Sequence, residues 1–178
     1  DPTRMLRAVR YEERYKFRIG LQTLSLINNE ARRVLASLSG ERLRHEFDLI
    51  FEEENPSRML ERLAELDLLQ PLHLSLHHAN FDLPYIDILP AEFGEITIPD
   101  ILSFKRTLGW ILWLMPLSAF DIDTISRRLD FPGQLTKSVQ SASALLAKLP
   151  TLVGWKPSQW TYYLDELPSI SIYAVYLM

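Results

Sequence analysis

Asp1-Pro2-Thr3-Arg4-Met5-Leu6-Arg7-Ala8-Val9-Arg10-Tyr11-Glu12-Glu13-Arg14-Tyr15-Lys16-Phe17-Arg18 opens the chain, and the way it repeats decides how the remainder is read. Asp1 is a good helix N-cap, and Pro2 suits the first helical position, where no backbone N–H is needed. The pattern therefore predicts a helix from the first residues to Phe17, broken by Arg18-Ile19-Gly20. At about 100° per residue, Arg4, Arg7, Tyr11, Arg14, Tyr15 and Arg18 fall within an arc of roughly 100°. Met5, Leu6, Val9 and Phe17 lie on the other side. One face is basic and aromatic, and the other is made to pack.

Helical spacing continues outward from this stretch. Leu21, Leu24, Leu26, Ile27, Ala31, Val34 and Leu35 predict a second helix over 21–38, and Leu43, Phe47, Ile50 and Phe51 a third over 40–51. Met59, Leu60, Leu63, Leu66 and Leu69 give a clean stripe over 56–69. Residues 79–98, with Pro84, Pro90 and Gly94, read as an irregular connector holding at most a short extended piece at Glu95-Ile96-Thr97-Ile98. Beyond it, Ile101, Leu102, Phe104, Leu108, Ile111, Leu112 and Met115 make a helix from Pro99 that is apolar nearly all round past Gly109. Such a helix belongs at the buried centre of the second half. Asp121 to Thr124 reads as the cap of a helix over 122–129. Amphipathic helices over 132–149 and 157–167 follow, and then an apolar last segment over 169–178. The fold class expected is all-α, with about eight helices.

At 178 residues the chain is long enough to bury roughly 70% of its unfolded surface. With 47% hydrophobic and 24% charged residues it does not resemble a disordered chain. It has no cysteine, which excludes disulfides, thiol catalysis and cysteine-ligated zinc. The longest apolar run, Trp110 to Phe120, is broken by Pro116 and too short for a bilayer. No basic leader precedes an apolar segment, so a cytoplasmic protein without a membrane partner is expected. Net charge is −4, yet residues 1–45 hold ten Lys and Arg against five Asp and Glu. A polyanion would therefore meet the N-terminal quarter.

The spacing Asp1-x-x-Arg4-x-x-Arg7, followed by Ala8-Val9-Arg10-Tyr11, resembles the nucleotide-recognition motif and neck helix of class II tRNA nucleotidyltransferases and bacterial poly(A) polymerases. Glu41, Arg42 and Glu46 resemble the next element of that neck. Arg62 to Pro71 resembles the family's leucine-rich helix and turn, with Asp67 where glycine is usual. The resemblance covers residues 1 to about 75 well and the rest only as a generic helical body. It implies a neck at 1–78 and a helical body at 99–178, the parent continuing beyond both ends.

What the resemblance implies for chemistry is specific. Asp1, Arg4 and Arg7 would bind the incoming ATP or CTP, and Arg10, Arg14 and Arg18 would bind RNA. Glu41, Arg42 and Glu46 would brace the first helix. The parent would add AMP or CMP to the 3′ end of tRNA or another RNA, using Mg2+ held by carboxylates in a head domain preceding Asp1. This chain alone would hold no metal and transfer no nucleotide.

Two other groupings could suggest a metal. His73, His77 and His78 include an i, i+4 pair, but no third ligand stands at suitable spacing. Asp121 and Asp123 resemble a catalytic carboxylate pair but lack the strand and glycine-rich turn that accompany one, so helix capping is their expected role. The rival reading of the whole is a non-catalytic helical module whose Arg and Tyr stripe binds RNA or an acidic protein.

Overall fold

The computed structural model describes residues 2–77 and 101–178, with side chains described over 2–76 and 104–178. Eleven α-helices occur among the described residues, and no strand. They are α1 (Arg4–Tyr15), α2 (Leu21–Leu26), α3 (Asn29–Ala36), α4 (Gly40–Phe51), α5 (Pro56–Glu65) and α6 (Leu74–His77). After the undescribed segment come α7 (Ile101–Leu114), α8 (Ala119–Arg128), α9 (Gly133–Lys148), α10 (Pro157–Asp165) and α11 (Ser169–Tyr176). The all-α expectation holds. The connector over 79–98 and the helix start at Pro99 lie outside the described residues.

The centre is an aromatic joint between α4 and α7. Phe47 stacks on Trp113 at 5.4 Å, and Phe51 meets Trp110 edge to face at 5.1 Å. Phe131 closes the other edge of Trp110 at 4.8 Å. From Leu108 to Met115 every residue is buried, as an all-round apolar helix requires. Gly109 makes the approach possible, because a Cβ there would stand 2.3 Å from the Phe51 ring. The Trp110 indole N–H donates to Asp48 Oδ1 at 2.7 Å, which satisfies it inside the joint. Around this centre α1 packs on α4 and α5, while α9 and α11 pack on α7 and on each other.

A second joint runs through helix ends. Arg128, in the last turn of α8, donates to the carbonyls of Ala36 at 2.6 Å and Leu38 at 3.1 Å, which end α3. Arg44 donates in return to Leu129 O, past the end of α8, at 3.1 Å. Gly40 lets the two meet, since a Cβ there would lie 2.5 Å from Arg128 O.

Several boundaries differ from the sequence reading, each for a local reason. Asp1 lies outside the described residues. Thr3 occupies the N-cap of α1, with Met5 N–H donating to Pro2 O, so Pro2 sits in a turn ahead of the helix. At its far end α1 stops because Lys16 turns left-handed (φ 54°), its N–H and that of Phe17 both reaching Glu12 O. Gly20 instead caps the start of α2 in extended backbone. The single helix expected over 21–38 is two, because the Asn28 side chain accepts Ala31 N–H and restarts the helix as an N-cap. Ile27, just before the break, and Leu35, beyond it, are buried, whereas Leu21 is 84% exposed and Leu26 and Val34 also face water.

Helix α5 ends at Glu65, and Asp67 takes a left-handed conformation (φ 54°), as the usual glycine would, while Leu68 and Leu69 remain buried. The helix expected over 122–129 starts at Ala119. Ser118 is its N-cap and accepts Asp121 N–H at 3.1 Å.

Candidate functional site

Helix α1 presents Arg4, Arg7, Tyr11, Arg14 and Tyr15 to solvent, as its periodicity predicts, while Arg18, also exposed, lies beyond the helix end and off that periodicity. Its members are organised among themselves. Arg7 donates to the Tyr11 hydroxyl at 3.3 Å, and its guanidinium lies 5.8 Å from that ring's centroid. This hydrogen bond first, and the Arg7 charge second, lower the Tyr11 phenol below its ordinary pKa; the same bond and then the phenolate's charge raise that of Arg7. Tyr11 and Tyr15 follow at 6.0 Å, and Tyr15 and Phe17 at 5.7 Å. Phe17 therefore extends the outer aromatic row and is 68% exposed, not part of the packing face. Helical geometry no longer applies to it once Lys16 has turned left-handed.

Beside this row, Tyr11, Phe17, Arg18, Gly20 and Thr23 contribute to a shallow cleft of about 190 Å³ between α1 and α2. Its lining includes two rings and a guanidinium.

Beneath the row lies a buried charge network. Arg10 is 6% exposed and stands between Glu46 at 3.8 Å and Glu53 at 3.7 Å. Arg10, expected among the RNA contacts, has its guanidinium turned inward in this structure, beside both carboxylates. Its guanidinium instead supports the Tyr11 ring from within, 5.3 Å from the centroid. Glu53 also accepts Arg14 through Nε at 2.9 Å and through a second, short bond, which raises the Arg14 pKa further. Glu12, likewise buried, accepts Arg62 Nε from α5 at 2.8 Å and the Ile19 N–H at 2.7 Å. Hydrogen bonds from Glu12 and then Glu65 raise the pKa of Arg62. Three helices are thus tied under one face by desolvated, paired charges.

Of the three expected braces, Glu46 is brought against Arg10. Glu41 and Arg42 lie at exposed positions of α4, Glu41 in its first turn, where a carboxylate favours the helix end. The residues missed are Glu12 and Glu53. A signal for Glu12 existed, since Leu6, Val9 and Glu12 share the packing side of α1 and a carboxylate there needs a buried cation. Glu53 gave none, because it follows the last turn of α4 within Glu52-Glu53-Glu54.

No group of three His, Asp or Glu among the described residues could hold a metal ion. Asp121 is engaged by the Ser118 hydroxyl and Asp123 by Arg127, so this pair does not fit a metal. His78 lies outside the described residues, and His73 Nε2 stands 4.0 Å from Asp121. No helix among the described residues is long and apolar enough to cross a membrane.

Residues 16–80 match a family described as "Probable RNA and SrmB- binding site of polymerase A". The A-adding tRNA nucleotidyltransferase of Geobacter sulfurreducens is 33% identical over 121 residues, covering 67% of this chain and 13% of that protein. Two solved structures of a CCA-adding enzyme, one complexed with ATP and one with CTP, share the fold. Their TM-scores are 0.66 and 0.67 at 23% and 24% identity, covering 99% of this chain and 43% of theirs. The chain therefore spans less than half the length of these relatives. The sequence likeness and the family match make it a member of the tRNA nucleotidyltransferase and poly(A) polymerase family.

Proposed function

We propose that this chain is the neck and helical body of an RNA 3′-end nucleotidyltransferase, and that α1 serves as its base-reading and RNA-facing helix. The observation that carries the reading is the exposed row Arg4, Arg7 and Tyr11 on a helix anchored from below by Glu12, Glu46 and Glu53. A template for a base needs donors fixed in place before the nucleotide arrives. A neck over 1–78 and a body over 99–178 is part of the same proposal.

Within it, Arg4 donates to ring acceptors of the incoming base, and Asp1 accepts from the exocyclic amino group that ATP and CTP share. Arg7 stays beside them on the same stripe, held by Tyr11. Arg18, and Arg14 where Glu53 leaves it exposed, take the RNA backbone. Glu46 acts as the brace and, through Arg10, positions Tyr11. The parent transfers AMP or CMP to a tRNA or other RNA 3′ end in the cytoplasm. Mg2+ would there stabilise charge at the phosphates. The carboxylates for that ion are assigned to the parent's head.

Arg4→Ala in the full-length parent tests the base-reading role. A lost bidentate base contact is worth about 1–3 kcal/mol of discrimination, so preference for ATP or CTP over GTP and UTP should fall about ten- to a hundredfold in kcat/KM. An unchanged preference in a folded variant would make Arg4 a structural residue and overturn the assignment.

A further inference from the structure

The C-terminal helices carry an aromatic cleft that the reading above does not use. Trp155 precedes α10 and is braced edge to face by Trp160 at 6.1 Å and Tyr163 at 5.9 Å. Trp155 and Tyr163, with Ser158, Gln159 and Tyr162, line an open cleft of about 380 Å³. Tyr162 is 74% exposed, and neither Trp155 nor Tyr163 is fully buried. Rings held by other rings, yet left open to water, form a rigid platform on which a flat group can lie.

Charge narrows the class of occupant. Lys148 places its ammonium 4.1 Å from the Tyr163 centroid and 5.5 Å from that of Trp155, and Lys156 lies at the N-cap of α10. No lining residue is acidic. An ammonium guest would be repelled by Lys148, whereas a flat neutral ring carrying a phosphate finds both a surface and a counter-charge. Gln159 Oε1 already accepts Lys156 N–H at 2.9 Å, which leaves its NH2 group to donate to a base edge.

We propose that this cleft stacks one unpaired nucleotide of an RNA strand, the base against Tyr162 and Trp155 and its phosphate beside Lys148. The assignment rests on the RNA-binding reading above but uses none of the residues of α1. It makes the body a second point of RNA contact, selective for single strands because only an unpaired base exposes a face.

The test uses the whole chain with two RNAs, a short labelled oligoadenylate and a blunt-ended duplex of equal charge, followed by fluorescence anisotropy. Tyr162→Ala, at an exposed position, should weaken oligoadenylate binding about tenfold and leave the duplex unaffected. Lys148→Gln should weaken oligoadenylate in the same direction. Arg14→Gln at the end of α1 with Arg18→Gln just beyond it should weaken both RNAs. As a second readout, an oligonucleotide containing 5-bromouridine should crosslink at Tyr162 or Trp155 on irradiation. Equal oligoadenylate affinity of wild type and Tyr162→Ala, with RNA binding intact, overturns the cleft and leaves the α1 reading standing. Binding of neither RNA by the wild-type chain overturns both. Protection of Tyr162 by a proline-rich peptide and not by oligoadenylate gives the cleft to a protein segment and likewise overturns the proposal.

Discussion

Arg10 stands 3.7 Å from Glu53, and the same carboxylate bonds Arg14 one turn further along α1, so one buried acid holds both an inner and an outer arginine. The inner one is enclosed and the outer one half open, which separates what each contributes. Breaking a buried pair by removing one partner strands the other charge and costs about 3–5 kcal/mol. Glu53→Ala is therefore expected to lower stability by about 3 kcal/mol in urea unfolding. Replacing Arg10, Glu46 and Glu53 together by methionine, which leaves neither carboxylate stranded, should recover at least half of that loss. A Glu53→Ala cost below about 1 kcal/mol would place the network among weak surface pairs.

The joint between α4 and α7 makes a steric prediction. Gly109→Ala would push a methyl group into the Phe51 ring, and overpacking of this kind costs about 1–3 kcal/mol. Gly133, in the first turn of α9, has open space around it, with nothing within 4 Å of where a Cβ would stand. Gly133→Ala should thus be neutral or raise stability by up to about 1 kcal/mol through helix propensity. Thermal unfolding of the two variants, side by side, checks the contrast. Equal midpoints would mean that the two helices can separate at Gly109 without penalty.

Asp48 gives the fold a dependence on pH. Burial first pushes its pKa above the ordinary carboxylate value, outweighing the Trp110 N–H and the positive charges of Arg106 and Arg44, which act the other way. The folded state therefore binds this proton more tightly than the unfolded one. Its contribution is complete below the unfolded value of about 4 and is lost as pH rises through the folded one. Asp48→Asn keeps an acceptor for Trp110 without the buried charge. It should be at least as stable as wild type at pH 7, with a flatter profile in the acidic range. A variant that loses more stability at pH 7 than at pH 4 would contradict this account.

The parts legible in the sequence are those where one interaction dominates. Leu43, Phe47, Ile50 and Phe51 repeat strictly enough to place α4, and the all-round apolar run after Gly109 placed α7 at the centre. The exposed stripe of α1 was legible for the same reason. Where two tendencies compete, periodicity misled. Leu21 to Leu35 keeps helical spacing across Asn28, whose side chain forms a better cap than a helix interior residue. Lys16 and Asp67 adopt left-handed backbone without being glycine, so the usual stop signal was missing at both. Arg10 looked like its neighbours in charge, but its position next to Val9 and Leu6 turns it inward, where partners distant in sequence neutralise it.

The exchange of arginines between helix ends bears on how this unit changes over evolutionary time. Arg128 completes the last turn of α3, and Arg44 reaches the carbonyl that follows α8. Each half of the chain is finished by a donor that the other half carries. A recombination event that exchanged only residues before the segment at 78–100, or only those after it, would leave carbonyls of one half facing donors selected for another. Shuffling should therefore respect the pair as one heritable block, even though the aromatic row of α1 and the cleft at Tyr162 remain free to diverge on their own.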